Sequence, residues 1–312
     1  LNGTKQFITG AGDTDVIILY AKVDGEKFSA FIVDADSEGL SMGPEENKMG
    51  IKGSSTRNLF LDDVKVPVEN LLFDVGRGHI VAFNILNMGR LKVSSNVLGN
   101  SKYALEVSAA YANDRKQFNT VIANFGLIKE KLADMNTGIY VSESMIYRTA
   151  GMLDKRLKTI NTKGEAGGQV AANCIAEYAL ECSINKVFGT ENQGFVVDEG
   201  VQIHGGYGVI HEYPIERLYR DARVYRIFEG TNEINRMLTI DMLMKRAMKG
   251  TIDLMTPAMA VQKELLAIPD FGANDEPGIF SKEKKALANM KKAGLMVAGA
   301  AAQKFMLKLS DE

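Results

Sequence analysis

The chain has 312 residues, of which 46% are apolar and 24% are charged, a composition typical of a globular protein large enough for two domains. A formal net charge of −2 gives no electrostatic basis for binding nucleic acid. No apolar run reaches the roughly 18 residues that span a bilayer. The three histidines are scattered and the two cysteines suit neither a metal site nor a disulfide framework, so we predict no metal.

Residues 1–75 have the pattern of an antiparallel β domain. Val16–Val23 and Phe28–Val33 are β-rich runs on either side of an Asp-Gly pair, which predicts a hairpin. Arg57–Val66 supplies a further strand, which a proline ends. The Gly-Ala-Gly at 10–12 lacks both a third glycine and a following crossover helix, so a nicotinamide-binding loop is rejected.

The next part of the chain, residues 76–249, has helical periodicity. Apolar residues recur three or four positions apart from Ile80 to Tyr111, which predicts one long helix. Further helices are predicted at about 125–156, 167–190, 192–204 and 231–249. The predicted fold class is therefore α+β, with an antiparallel β domain followed by an up-and-down helical bundle.

Residues 250–312 read as a linker and a final amphipathic helix. Prolines at Thr256-Pro257 and Ile268-Pro269, and Asn274–Gly278, mark the linker. The apolar stripe of the helix is Leu287, Met290, Gly294, Val297, Ala301 and Phe305, and the lysines off the stripe are Lys284, Lys285, Lys291, Lys292, Lys304 and Lys308. We predict that the stripe packs within its own domain, with peripheral contact to an anionic membrane surface as the alternative.

The stretch Arg226–Arg236 carries the strongest chemical signal. Glu229 follows an apolar pair and precedes Gly230, which frees the backbone to turn. Thr231 or Asn232 can cap the helix that follows. A desolvated carboxylate becomes a stronger base, and nearby backbone N–H groups can polarise a carbonyl. These are the parts for removing a proton α to a carbonyl, although such a turn can also be purely structural.

Seven motifs, in order, resemble those of the acyl-CoA dehydrogenase family. They are Leu1–Thr9, Lys48–Thr56, Val64–Asn70, Asp114–Phe118, Gln202–Gly208, Arg220–Arg223 and the Glu229 stretch. The resemblance covers about residues 1–245, and Asn124–Leu132 together with Arg226–Thr231 points to the very-long-chain branch. It implies a fragment that lacks the family's N-terminal helical domain and ends in part of an additional C-terminal helical domain.

The resemblance implies FAD as the cofactor. The matching cofactor-binding positions are Phe7, Thr9, Arg115, Phe118, Gln202, Gly205, Gly206, Thr231 and Glu233. In the family the arginine holds the pyrophosphate of a flavin bound mainly by a neighbouring subunit, and residue 7 stands beside the flavin ring. This chain has Phe7 where Trp is commoner, which weakens its predicted stacking role.

The reaction implied is α,β-dehydrogenation of a fatty acyl-CoA, in fatty acid β-oxidation and with long-chain substrates, with Glu229 as the base. The matching substrate-binding positions are Asn87, Arg90, Phe228 and Gly230. A subset of relatives carries the catalytic glutamate at the position of Gly89, and this chain has the commoner arrangement. The base assignment therefore depends on two positions that agree.

The resemblance also implies partners and a compartment. Electrons would pass to an electron-transferring flavoprotein, and the subunits would form a dimer or a tetramer, in a bacterial cytoplasm or a mitochondrial matrix. Two alternatives stay open at this point. One is an acyl-CoA oxidase that passes electrons to O₂, and the other is a non-catalytic scaffold that assembles a respiratory complex.

Overall fold

The computed structural model describes residues 1–164, 166–266 and 278–305. The chain divides into two compact units, Leu1–Asn235 and Arg236–Glu312. The first unit holds all of the predicted site residues, and each unit is described by itself.

The first unit begins with six antiparallel strands. They are β1 Gly3–Thr9, β2 Val16–Val23, β3 Lys27–Asp34, β4 Leu40–Met42, β5 Thr56–Leu61 and β6 Leu71–Leu72. They form two three-stranded sheets with the orders β1-β5-β4 and β2-β3-β6. Alternate residues such as Ile17 and Leu19 turn inward to a shared apolar core with Val33 and Leu59.

The predicted hairpin is confirmed. Val23 pairs with Lys27, and both Asp24 and Gly25 have left-handed φ angles of 54° and 75°. The strand predicted to reach Val66 ends earlier, at the end of β5. The chain leaves the sheet at Asp63, which has a φ of 49°, and a residue in that conformation cannot continue a strand.

Helices make up the rest of this unit. They are α1 Gly78–Asp114, α2 Gly126–Leu157, α3 Gly167–Ala176, α4 Ala179–His204, α5 Pro214–Ala222 and α6 Asn232–Met248, of which the last continues into the second unit. A two-residue hairpin, β7 Lys116–Gln117 and β8 Thr120–Val121, follows α1. Helices α1, α2 and α4 enclose a core that includes Leu98, Met135 and Val196. The α+β fold class is confirmed.

The predicted helix break near residue 191 is wrong. Helix α4 runs through Gly189, where an added Cβ would lie 3.3 Å from Val97 Cγ2 of α1. The glycine therefore permits a close helix–helix contact and does not end a helix. The chain breaks instead at Glu177-Tyr178, where the Tyr178 amide bonds to the carbonyl of Ile175 three residues back.

The two cysteines, Cys174 and Cys182, are buried and do not form a disulfide with each other. Burial raises the pKa of Cys182 to about 11, which keeps it a neutral thiol. Among the described residues no group of three or more His, Cys, Asp or Glu side chains is placed to hold a metal ion. Over the same residues no helix combines the length and apolarity needed to cross a membrane.

The second unit contains α7 Met255–Leu266 and α8 Ser281–Phe305. Thr256-Pro257, predicted as linker, lies instead in the first turn of α7. Proline is tolerated there because that turn has no intrahelical acceptor for its missing N–H, and the Asp253 carboxylate accepts the Thr256 amide at 3.0 Å. Ile268-Pro269 and most of the segment from Asn274 lie outside the described residues.

The predicted packing of the α8 stripe is not found among the described residues. Leu287, Met290 and Val297 are 54%, 70% and 69% exposed. Lys292 forms an ion pair of 2.5 Å with Glu264 of α7. Lys308 lies outside the described residues. Contact of this helix with a membrane stays a prediction.

Candidate active site

The Glu229 turn joins the short helical turn Arg223–Arg226 to α6. Glu229 and Gly230 are both left-handed, with φ angles of 57° and 80°. A non-glycine residue in this conformation costs about 1 kcal/mol, so the surrounding structure must hold it. The predicted cap is confirmed, because Thr231 Oγ1 accepts the Ile234 amide at 3.3 Å.

The Glu229 carboxylate lies against the backbone of α1. A Cβ added at Gly89 would lie 2.4 Å from Glu229 Oε2, so only glycine leaves room for the carboxylate there. Oε2 is buried and has no hydrogen-bond partner within the described parts of the chain. Burial raises the pKa of Glu229, and the positive charges of Arg90 and Lys186 partly oppose that rise. The group is therefore a desolvated and strengthened base.

Three buried donors hold the carbonyl groups of the turn. Arg90 Nε donates to the Glu229 carbonyl at 3.2 Å, and Lys186 Nζ donates to the Gly230 carbonyl at 2.7 Å. Asn235 Nδ2 donates to the carbonyls of Gly230 and Thr231 at 2.8 and 3.0 Å. All three donor residues are at most 4% exposed. The carbonyl side of the turn is thus fixed from inside the protein.

The N–H side of the turn is left free. The C=O and N–H of one trans peptide point in opposite directions, so anchoring the carbonyls of Glu229 and Gly230 directs the next two amides the other way. The N–H groups of Glu229, Gly230 and Thr231 have no acceptor in the described structure. Successive free amides beside a carboxylate can bind an oxygen atom that gains negative charge.

Sequence reasoning missed Lys186 and Asn235. The buried positions of α4 include Cys182, Lys186, Gly189 and Gln193, which are three or four residues apart. A lysine at a position of the inward-facing stripe was the available signal. The signal is weak because the stripe carries no opposite charge that would indicate a buried partner for the lysine.

The predicted substrate residues lie around the same turn. Asn87 Oδ1 accepts from Arg90 at 3.4 Å, and both side chains are buried. Phe228 packs against Tyr225 with ring centroids 5.3 Å apart. In the structure Arg90 therefore binds protein groups behind the turn. The predicted substrate roles of Asn87, Arg90, Phe228 and Gly230 stay predictions.

A second region, the Arg115 cavity, has a volume of about 560 Å³. It is lined by Tyr111, Arg115, Gln117, Ile122, Ile203, His204, Gly205, Gly206, Tyr207 and Ile210. The Arg115 guanidinium lies 5.5 Å from the centroid of the Tyr207 ring and has no ion-pair partner among the described residues. Gly205 ends α4 with a φ of 58° and a ψ of −136°, a conformation that favours glycine.

Of the predicted cofactor residues, the structure brings Arg115, Gly205 and Gly206 together in this cavity. Gln202 accepts the Gly205 amide through its carbonyl, but its side chain is exposed elsewhere. Phe118, 86% exposed and left-handed with a φ of 53°, also lies outside the lining.

The remaining predicted cofactor residues lie apart from the cavity lining. Phe7 is 62% exposed and left-handed, at an irregularity in the β1–β5 pairing, and Thr9 is exposed at the end of β1. Thr231 and Glu233 lie at the start of α6, with the Glu233 side chain exposed. The predicted set is therefore divided over three places.

Comparison with known families decides the relationship. Residues 76–244 match the model of the acyl-CoA dehydrogenase C-terminal domain, and residues 1–64 match that of the middle domain. The chain belongs to the acyl-CoA dehydrogenase family. A probable acyl-CoA dehydrogenase of Bacillus subtilis is 51% identical over 98% of this chain and 51% of its own length.

Other relatives differ in activity. The CarC subunit of the caffeyl-CoA reductase-Etf complex of Acetobacterium woodii is 40% identical over 79% of this chain and 61% of its own length. The human mitochondrial very long-chain specific acyl-CoA dehydrogenase is 37% identical over 81% of this chain and 36% of its own length. The very-long-chain enzymes are thus among the relatives, as the motifs indicated.

The fold matches a solved member of the family. The crystal structure of an acyl-CoA dehydrogenase complexed with FAD from Bacillus anthracis superposes with a TM-score of 0.95 and is 52% identical. The match covers 99% of this chain and 52% of that protein. This acyl-CoA dehydrogenase family member thus spans about half the length of the first relatives it matches.

Proposed function

We propose that the full-length protein is an FAD-dependent enzyme that dehydrogenates the α and β carbons of a fatty acyl-CoA, with long-chain acyl groups as substrates. The observation that carries this proposal is the half-buried Glu229 side chain, whose Oε2 is buried and, like the three backbone amides beside it, has no partner among the described residues. A strengthened base next to an oxygen-binding group is what abstraction of an α-proton from a thioester requires.

Glu229 would take the α-proton, while its own N–H and the neighbouring amides would hydrogen-bond the thioester oxygen as negative charge develops there. A proton α to a thioester is a very weak acid in water, so the reaction needs both a strengthened base and stabilisation of the thioester oxygen. Burial raises the pKa of Glu229, which narrows the difference between the pKa of the base and that of the substrate's α-proton. The carboxylate and the three amides belong to the consecutive residues Glu229, Gly230 and Thr231, of which the first two are left-handed.

The residues of the Arg115 cavity fit a dinucleotide cofactor. The Arg115 guanidinium, which has no ion-pair partner among the described residues, lies beside two glycines and suits a diphosphate, and the ring of Tyr207 adds an apolar wall. Arg115, Gly205 and Gly206 would hold FAD, which when bound would supply the acceptor for the β-hydrogen leaving as hydride. The FAD complex of the Bacillus anthracis relative supports this choice.

Phe7 and Thr9 lie on β1, apart from the cavity lining, which is consistent with a cofactor shared between subunits. A homodimer or homotetramer is therefore part of the proposal. An electron-transferring flavoprotein is the proposed electron acceptor, and the relative described as part of an Etf complex supports such a partner.

Replacing Glu229 by Gln tests the proposal. The amide is nearly isosteric but cannot accept the proton, so anaerobic reduction of the flavin by acyl-CoA should slow by about 10²- to 10⁴-fold with flavin content unchanged. Glu130→Gln, at an exposed position of α2, is the control and should behave like wild type. A Glu229→Gln variant that reduces flavin at the wild-type rate would exclude Glu229 as the base.

A second candidate is the reverse reaction, reduction of a 2-enoyl-CoA, because one relative is a caffeyl-CoA reductase subunit. Turnover of acyl-CoA with oxidised electron-transferring flavoprotein supports dehydrogenation. Turnover that occurs only with enoyl-CoA and the reduced flavoprotein supports the reverse. Rapid oxygen consumption without an added acceptor would indicate an oxidase, and no flavin reduction by any acyl-CoA would indicate a scaffold.

A further inference from the structure

Lys186 is a fully buried lysine in the middle of α4, with 0% of its surface exposed. Its Nζ donates to the Gly230 carbonyl at 2.7 Å and to Asn232 Oδ1 at 2.8 Å. Removing an ammonium group from water is costly, and an apolar side chain of the same length would fill the space without that cost. The lysine therefore needs an explanation beyond packing.

The charges that act on Lys186 lie on α1, α4, α6 and the Glu229 turn. Arg90 on α1 repels it, while Glu229 in the turn, Glu233 on α6 and Glu191 on α4 attract it. Burial and Arg90 together lower the pKa of Lys186 to about 8. The ammonium form is thus the main form at neutral pH, and its charge is lost within the range in which enzymes can be assayed.

Lys186 donates a hydrogen bond to the carbonyl of Gly230, the residue after Glu229. Oε2 of the Glu229 carboxylate has no partner in the described structure. The hydrogen bonds of Lys186 restrain the strained backbone, and its charge favours the ionised carboxylate through space. Both effects act on Glu229 without contact with the reacting atoms.

We propose that Lys186 is a positioning residue whose ammonium group holds the Glu229 turn in its left-handed conformation and keeps the Glu229 carboxylate ionised. This inference rests on the proposed function of Glu229 as the base. It makes the reaction depend on the protonation of a side chain that substrate never touches.

Two variants of the full-length, FAD-loaded protein separate the two effects. Lys186→Gln keeps an amide donor but removes the charge, and Lys186→Met removes both. The rate of flavin reduction at its pH optimum should fall about 10-fold in the first and about 100-fold in the second, the range expected for losing hydrogen bonds to a charged group. Lys92→Met removes an exposed lysine of α1 and should leave the rate unchanged.

The pH profile is the readout that a space-filling role would not move. Loss of a nearby positive charge raises the pKa of Glu229, so the acid limb should move to higher pH in both Lys186 variants. The wild-type rate should also fall as pH rises through about 8, where Lys186 loses its proton, and this alkaline limb should vanish in Lys186→Gln. The infrared carbonyl band of protonated Glu229, assigned by its absence in Glu229→Gln, should titrate at higher pH in Lys186→Gln, independently of turnover.

The outcomes are distinguishable. If Glu229→Gln reduces flavin normally, the proposed function fails whatever Lys186 does. Suppose that Glu229→Gln is inactive while the acid and alkaline limbs of the pH–rate profile of Lys186→Gln have the same midpoints as in wild type. The proposed function then stands and the role of Lys186 is overturned, even if melting temperatures fall. Should neither Lys186 variant fold, a wild-type rate that shows no decline between pH 7 and 10 overturns it equally.

Discussion

The Glu229 turn and the Arg115 cavity differ in how much of each this chain completes. At the turn, carbonyls are held by buried Arg90, Lys186 and Asn235, and Oε2 of Glu229 is buried against Gly89. The Arg115 cavity is wide, and its guanidinium has no ion-pair partner in the described structure. Proton transfer needs fixed geometry, which a protein core supplies, whereas binding a large cofactor needs an accessible surface.

Backbone strain marks the Glu229 turn and two predicted cofactor-binding positions outside the Arg115 cavity. Glu229 is left-handed at the turn, and Phe118 and Phe7 are left-handed at two of the places where the cofactor is predicted to bind. Such residues persist only where the surrounding structure holds them. At Glu229 the restraining donors are buried, whereas Phe7 and Phe118 are themselves exposed.

Gly89→Ala should give the largest effect on the turn short of removing Glu229. The new Cβ would lie 2.4 Å from Glu229 Oε2, so the carboxylate must move, and a displacement of about 1 Å can slow a reaction about 100-fold. Stopped-flow flavin reduction by acyl-CoA measures this, with FAD content unchanged.

Gly99→Ala is the matched control in the same helix. A Cβ there meets nothing within 4 Å, so the rate should be unchanged and the helix slightly stabilised. Equal rates in the two alanine variants would show that the carboxylate is not confined by Gly89.

Arg115→Ala should affect the cavity and spare the turn. Loss of charge-assisted hydrogen bonds to the diphosphate should weaken FAD retention about 10-fold or more, while flavin reduction at saturating FAD stays near wild type. Flavin-to-protein absorbance after gel filtration measures retention. Arg148→Ala, at an exposed position of α2, is the control, and equal flavin content in both variants would contradict the diphosphate role.

The smallest expected effect is on stability as a function of pH. Because burial raises the pKa of Glu229, the folded protein binds this proton more tightly than the unfolded chain does. Wild type should therefore lose stability relative to Glu229→Gln as pH rises from the ordinary pKa of a glutamate through the raised value.

Melting temperatures of the two proteins across that range measure the difference. The two curves should converge at low pH and separate above it, with the variant higher. Glu130→Gln should follow wild type throughout. Parallel curves for wild type and Glu229→Gln would show that the carboxylate is not desolvated.

Much of the fold followed from local patterns. The hairpin at Asp24-Gly25, the long helix α1 and the cap at Thr231 depend on residues close in sequence, so periodicity and turn chemistry predicted them. The break predicted near residue 191 is wrong, since α4 continues to His204 and its Gly189 lies against Val97 of α1, a helix far away in sequence. Local patterns cannot show what packs against a glycine.

The sequence by itself determined that Glu229 stands in a flexible, apolar stretch before a helix, and its motifs placed the chain in its family. Only the tertiary structure brought Gly89, Arg90 and Lys186 from two other helices to the turn, and only it buried Oε2 without a partner in the described part of the chain. The physical reason is that basicity and strain depend on what surrounds a group in space. Those neighbours are separated from Glu229 by up to 140 positions in the chain.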